Sequence, residues 1–268
     1  MANTNGINSN RNSIDASKGK SPVHHETATA TRQGDRATNQ DRCAILSRET
    51  GVLLLLADGL GGEPRGELAA QVYIDSMGQA FEQADWPITD PAQFLVSSIT
   101  RSHAAIMAAG EEELPPVRPM TTCVASLVQH PLACWAHAGD SRLYLLRNGQ
   151  VLARTRDHSL VQEYIERGEL QENEREQHPL RNYVTRSLGG TGPAPVVELS
   201  DITGLQPGDT LLLCSDGLWS ALPETRLTEL ATASDLSQAV QRIAAEAEQA
   251  SRPYSDNITL AVLQVAGD

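Results

Sequence analysis

Residues 53–62 read Leu-Leu-Leu-Leu-Ala-Asp-Gly-Leu-Gly-Gly, a continuous apolar run that ends on a carboxylate and a cluster of glycines. An apolar run of this length, bounded by turn residues, is the pattern of a strand buried on both faces. Asp58 then stands at the strand's end. The glycines after it let the backbone turn sharply and approach a ligand closely, because glycine tolerates positive φ and has no side chain to obstruct. An isolated Asp-Gly is ordinary turn chemistry. Here the pattern repeats at 211–218, Leu-Leu-Leu-Cys-Ser-Asp-Gly-Leu, where Asp216 again closes an apolar run ahead of helix-compatible sequence. Neither copy leads into the alternating strand that a two-residue hairpin requires. Two carboxylates delivered in the same way point to one shared site.

Outward from this stretch, alternating threonines and alanines predict a strand over 23–31, and a loop carrying Arg36 and Asp41 enters a second strand. Helical patterns follow over 65–83 and 91–109, the second with Asp90 as N-cap, Pro91 in its first turn, and Leu95, Ile99 and Ile106 at helical spacing. Strands are predicted over 122–129, 132–137, 142–147 and 150–155, the last two joined by the hairpin dipeptide Asn148-Gly149. A helix at 160–167 leads into an acidic stretch to 182 that has little to bury and reads as mobile. Strands return at 196–200 and 210–214, helices at 223–230 and 234–250, and a last strand at 258–265. This order is not the strict alternation of a parallel α/β sheet; it predicts antiparallel sheets packed together with helices outside. Residues 1–22, poor in aliphatic side chains, read as a disordered extension of a single domain at 23–268.

Of the 268 residues, 40% are apolar and 4% aromatic, enough for a large aliphatic core. The net charge of -13, from 21 basic and 34 acidic residues, argues against nucleic acid or an anionic membrane as the main partner. The four cysteines have neither Cys-x-x-Cys spacing nor disulfide-scaffold density, which suits reduced core residues in a cytoplasmic protein. No stretch has the apolar length of a membrane span.

Asp41, Asp58, Asp140, Asp216 and Asp256 all fall at or beside predicted strand ends. An all-oxygen set suits hard cations such as Mg²⁺ or Mn²⁺. Several carboxylates in one pocket would otherwise raise one another's pKa. Two divalent ions bridging a water would lower its pKa and present hydroxide to phosphorus. Arg36 then has the planar, permanently charged group that binds two phosphate oxygens, although alone it would read as a solvated loop arginine.

At this level of detail the chain resembles the metal-dependent protein Ser/Thr phosphatases of the PPM, or protein phosphatase type 2C, family in its bacterial form, from about residue 29 to 265. The motifs come in the family's order: R-x-x-N-Q-D at 36–41, L-A-D-G-L-G-G at 56–62, G-E-L-A at 66–69 and Thr121-Thr122. A-G-D-S-R at 138–142, D-H-S-L-V at 157–161, T-R-S-L-G at 185–189, S-D-G-L at 215–218 and D-N-I-T at 256–259 follow. Their ordered combination is specific where each alone is weak.

The resemblance implies an α+β fold, a four-layer α-β-β-α sandwich of two antiparallel sheets flanked by helices. It implies hydrolysis of phospho-Ser and phospho-Thr by in-line attack of a hydroxide bridging two divalent metals, Mn²⁺ or Mg²⁺. Asp58, Asp216 and Asp256 match the core metal ligands, Gly59 offers its carbonyl, and Asp41 acts directly or through water. Asp140 and Asp216 match a third, weaker site; Arg36 matches the phosphate-binding arginine. Residues 160–182 match the bacterial flap, whose acidic run is expected to influence which phosphoprotein docks. The implied partners are a bacterial Ser/Thr kinase and its substrates, met by a monomer. Three departures stand out: Leu60 where eukaryotic members carry a histidine, Met120 in place of a glycine, and Gln40 in place of a glutamate. Without that histidine the general acid is unassigned, with a metal-bound water first and His158 second. A catalytically weak phosphoprotein-binding module is the alternative reading, but it would require broken ligands, and here they are intact.

Overall fold

The structure, a computed structural model, describes residues 25–48, 51–60 and 65–266. The 1–22 extension and Gly61 and Gly62 of the first glycine cluster lie outside the described residues. Strands β1 (His25–Arg32), β2 (Arg42–Arg48) and β3 (Gly51–Ala57) precede helices α1 (Gly66–Gln83) and α2 (Pro91–Glu112). Strands β4 (Met120–Thr121), β5 (Cys123–Gln129), β6 (Leu132–Ala138), β7 (Arg142–Arg147) and β8 (Gln150–Arg154) follow, then α3 (Leu160–Glu166). The short strands β9 (Leu188–Gly189), β10 (Glu198–Leu199) and β11 (Thr203–Gly204) lead to β12 (Thr210–Cys214). Helices α4 (Asp216–Trp219), α5 (Glu224–Leu227) and α6 (Leu236–Ser251) precede β13 (Ile258–Val265).

One sheet runs β1-β13-β12-β7-β8 and the other β10-β6-β5-β3-β2, with β11 also on β6, and every pairing is antiparallel. The two-residue side-chain period of a strand explains how they stack. In β3, Leu53, Leu55 and Ala57 face α1 and α2, while Val52, Leu54 and Leu56 face the opposite sheet. In β12, Leu211 and Leu213 meet them there, while Leu212 and Cys214 turn outward to the core under α6. Three apolar layers therefore separate helices, sheet, sheet and helices, the predicted sandwich. The four cysteines are free and all lie in strands.

Asp90 caps α2 by accepting the Gln93 N–H, with Pro91 in the first turn, as predicted. The strand expected at 196–200 shrinks to β10, and the helix expected at 223–230 divides into α5 and a 3₁₀ segment, Thr228–Thr232. The acidic stretch after α3 corrects the expectation of a segment with little to bury. It forms a 3₁₀ turn, Glu172–Gln177, and buries Arg175. Arg175 bonds Asp157, Gln162 and Glu172, and Asp157 also receives both arms of Arg142 at 2.7 Å.

Candidate active site

Antiparallel register carries the five aspartates to one end of the sandwich. Arg42 pairs with Ala57, so Asp41 enters β2 beside Asp58 leaving β3. Cys214 pairs with Leu260, so Asp216 leaves β12 beside Asp256, which precedes β13. Cys214 also pairs with Arg142, which brings the β6–β7 turn and its Asp140 alongside. Arg36, Asp58, Gly59, Asp140, Asp216 and Asp256 line one pocket of about 780 Å³. Asp41 is outside that wall. It is only 2% exposed and receives the Ser215 hydroxyl at 2.7 Å.

Local structure explains how each group is held. The Asp58 N–H donates to Thr122 Oγ1 at 3.0 Å, and its carbonyl accepts from the Thr122 N–H and Thr121 Oγ1, both at 2.9 Å. Gly59 lies so close to Gly66 that a Cβ on it would stand 2.5 Å from that backbone, which explains two glycines at this crossing. Ser215 Oγ, besides donating to Asp41, accepts the Thr259 N–H at 3.0 Å. Asn257 pins the Arg36 loop by donating to the carbonyls of Gln33 and Thr38 and accepting the Gln40 N–H. Arg36 reaches Asp256 at 2.5 Å, and Trp219 Nε1 donates to the Asp140 carbonyl at 2.9 Å.

The sequence motifs include Thr122, Ser215 and Asn257 without giving them tasks. Their partners are 64, 174 and 217 residues away, so only the fold reveals them. The Met120 and Gln40 departures are absorbed by backbone bonds: the Met120 carbonyl accepts the Leu60 N–H at 3.0 Å, and the Gln40 carbonyl accepts the Gly59 N–H at 3.3 Å.

Burial, then the charge of neighbouring carboxylates, raises the pKa of Asp58 and Asp216 well above the usual range. Burial also lifts Asp41 to about 6, and burial with Asp157 beside it lifts Asp140 to about 7. Asp41 Oδ1 is buried with no hydrogen-bond partner. A buried anion costs heavily unless paired, so these groups share a need for positive charge that Arg36 alone does not meet. An all-oxygen set with an orphaned carboxylate oxygen fits divalent cations.

Among the described residues, His137, His158 and Glu198 have potential ligand atoms within 4.8 Å of one another. Their geometry is wrong for a cation. The imidazoles stack at 4.5 Å with planes 6° apart, so their in-plane lone pairs do not converge. His158 Nδ1 accepts the Gly139 N–H, and the Arg186 guanidinium stands 3.0 Å from Nε2. Burial, with His137 next to it, pushes the His158 pKa down to about 4, and the residue is absent from the pocket wall. His158 is thus committed to Gly139, Glu198 and Arg186 away from the pocket wall, which weakens its candidacy as general acid.

The comparisons agree with this geometry. The sequence profile of the family "Protein phosphatase 2C" matches residues 30–259. A serine/threonine phosphatase, stp, of Listeria monocytogenes is 31% identical over 198 residues, 73% of this chain and 78% of the relative. The crystal structure of the Mycobacterium tuberculosis serine/threonine phosphatase PstP/Ppp superposes with a TM-score of 0.79 at 30% identity, over 90% of this chain and 99% of that one. A PstP catalytic domain in complex with two manganese ions superposes with a TM-score of 0.75 at 28% identity, over 90% of this chain and 98% of that one. Motif order, sheet topology and relatives converge, and the chain belongs to the protein phosphatase 2C family as a serine/threonine phosphatase of the bacterial PPM type.

Proposed function

We propose that residues 23–268 act as one catalytic domain that hydrolyses phosphoserine and phosphothreonine in proteins with two divalent ions, Mn²⁺ or Mg²⁺. The observation that carries this reading is the pocket wall of Asp58, Asp140, Asp216 and Asp256 with the orphaned Oδ1 of Asp41 outside it. In this reading Asp58, Asp216, Asp256 and the Gly59 carbonyl hold the two core ions, Asp41 supports them, and Asp140 with Asp216 holds a third. Divalent ions held there would let several carboxylates ionise together and would bring the pKa of a water near neutrality, supplying the nucleophile for in-line displacement at phosphorus.

The chain's own groups complete the reading. Arg36 is half exposed at the pocket and can turn its guanidinium from Asp256 to two phosphate oxygens. The Ser215 hydroxyl is committed to Asp41 and Thr259, and burial pushes the Cys214 thiol pKa up, so neither is an activated nucleophile. The flap contributes Asn182 to the pocket rim, where its acidic run can bias which phosphoprotein approaches.

A bacterial Ser/Thr kinase and its targets, met in the cytoplasm by a monomer, are the proposed partners, on the strength of the family resemblance. No described helix is long and apolar enough to cross a membrane. The decisive experiment is phosphate release from p-nitrophenyl phosphate and from a phosphothreonine peptide, with Mn²⁺, Mg²⁺ or chelator, by the wild type and by Asp216→Ala. Activity that needs metal and disappears in the variant supports catalysis; metal binding without turnover in the wild type supports the binding-module alternative.

A further inference from the structure

A second concavity, an open groove of about 750 Å³, adjoins the catalytic pocket, and Met120 lines both. The fold makes the two continuous. On one side β4 touches the catalytic turn, through the Leu60 N–H on the Met120 carbonyl and the bridge between Gly59 and Thr121. On the other side it pairs with β9, Met120 opposite Gly189 and Thr121 opposite Leu188. The groove floor beyond β9 is preformed. Buried His103 accepts the Gly189 N–H at 3.1 Å and meets the Gly192 carbonyl at 3.2 Å, and the Gly190 N–H donates to the Pro119 carbonyl at 3.1 Å.

Among the described residues, the charged side chains that line this groove are Arg118 and Arg186, and no carboxylate joins them. In a chain of net charge -13 such a wall is out of character with the rest of the surface. Arg118 is 45% exposed and pairs with Glu111, itself 59% exposed, so the pair can exchange partners with solvent or with a ligand. Arg186 lies against His158 Nε2 and the Val196 carbonyl, and Glu198, on the same His158 nitrogen, feels its charge without a direct ion pair being formed.

We propose that this groove docks the stretch of substrate chain beside the phosphorylated residue and selects a carboxylate side chain there. The proposal rests on the phosphatase reading of the adjoining pocket. Two inter-strand spacings of ~4.8 Å separate the Gly59 turn from β9, roughly 10 Å, which an extended chain at ~3.3 Å per residue covers in about three residues. The acidic position therefore lies about three residues from the phosphothreonine, on the side that runs over Met120.

The test uses the full chain with Mn²⁺ and phosphothreonine peptides that carry Glu or Gln at each position two to four residues on either side of the phosphorylated residue. Glu is expected to raise kcat/KM over its Gln partner by roughly two- to fivefold at low salt at about three residues on one side, an advantage that shrinks toward unity at high salt. Arg118→Glu is expected to reverse that preference, and Arg186→Gln to weaken it. Because Arg186 also touches His158, Arg118→Glu is the deciding variant. Equal hydrolysis of Glu and Gln peptides by the wild type, or a Glu preference that survives Arg118→Glu, overturns the groove. Absence of metal-dependent p-nitrophenyl phosphate hydrolysis by the wild type would overturn the phosphatase reading itself, and the two failures are thereby distinct.

Discussion

Single residues decide the chemistry through what surrounds them. Asp58 and Asp216 were legible in the sequence because a carboxylate that closes an apolar run ahead of a glycine is a local pattern, and Asp140 and Asp256 because each stands beside a strand end next to a small or turn-forming residue. Thr122, Ser215 and Asn257 were not, since a hydroxyl or amide that braces a distant backbone leaves no mark on its neighbours. Arg36 belongs to both groups: its motif was legible, but its 2.5 Å contact with Asp256 was not. Loss of a charge-assisted hydrogen-bond set costs about 1.5–3 kcal/mol, or about ten- to a hundredfold in affinity. Arg36→Ala is expected to lower kcat/KM for an aryl phosphate by that factor, chiefly through KM, with partial recovery in Arg36→Lys. Steady-state kinetics on p-nitrophenyl phosphate checks this, and an unchanged KM would remove Arg36 from phosphate binding. Asp216→Ala is expected to lose at least three orders of magnitude in kcat, on the order of 4 kcal/mol or more.

At the scale of elements, long amphipathic or fully apolar segments were readable because their periodicity is strong. The two-residue strands β4, β9 and β11 were not, because nothing repeats in two residues, and of the strand expected at 196–200 only β10 forms. The flap defeated composition for a different reason: one buried arginine, paired with an aspartate outside the segment, organises a stretch that otherwise has little to bury. Arg175→Ala would leave Asp157 with Arg142 alone and remove a buried charged donor, a change of about 1.5–3 kcal/mol. The cost should appear locally, as amide exchange across 160–182 faster by roughly ten- to a hundredfold while amides of β3 and β12 keep their protection. Uniform acceleration throughout the molecule would show that Arg175 supports the whole fold rather than the flap.

For the whole molecule, the pattern of strands and helices revealed the layers, and the register of β3 and β12 then put the five carboxylates at one end. The electrostatic result is a protein whose active end works against its own stability when no cation is present. Asp41 and Asp140 titrate near 6 and near 7 in the fold, against about 4 in an unfolded chain. A carboxyl with a raised folded pKa contributes stability below its unfolded pKa and loses that contribution as pH rises through the folded value. In chelator, Tm is therefore expected to fall between pH 5 and pH 8, on the order of 5 °C or more. Added Mn²⁺ should raise Tm more at pH 8 than at pH 5. A chelated protein that melts higher at pH 8 would contradict the burial of these groups.

The carboxylates on the pocket wall come from both sheets, Asp58 from the end of β3 and Asp216 from the end of β12. Ions held between them would act as a clasp in a chain whose four cysteines form no cross-link. The barrier to parting the sheets would then include ligand loss, so longevity, and not only equilibrium stability, becomes a property of the active site. Unfolding followed by pulse proteolysis should be faster in chelator than in Mn²⁺ by more than the shift in Tm accounts for, which makes the catalytic centre the timer of the protein's own survival.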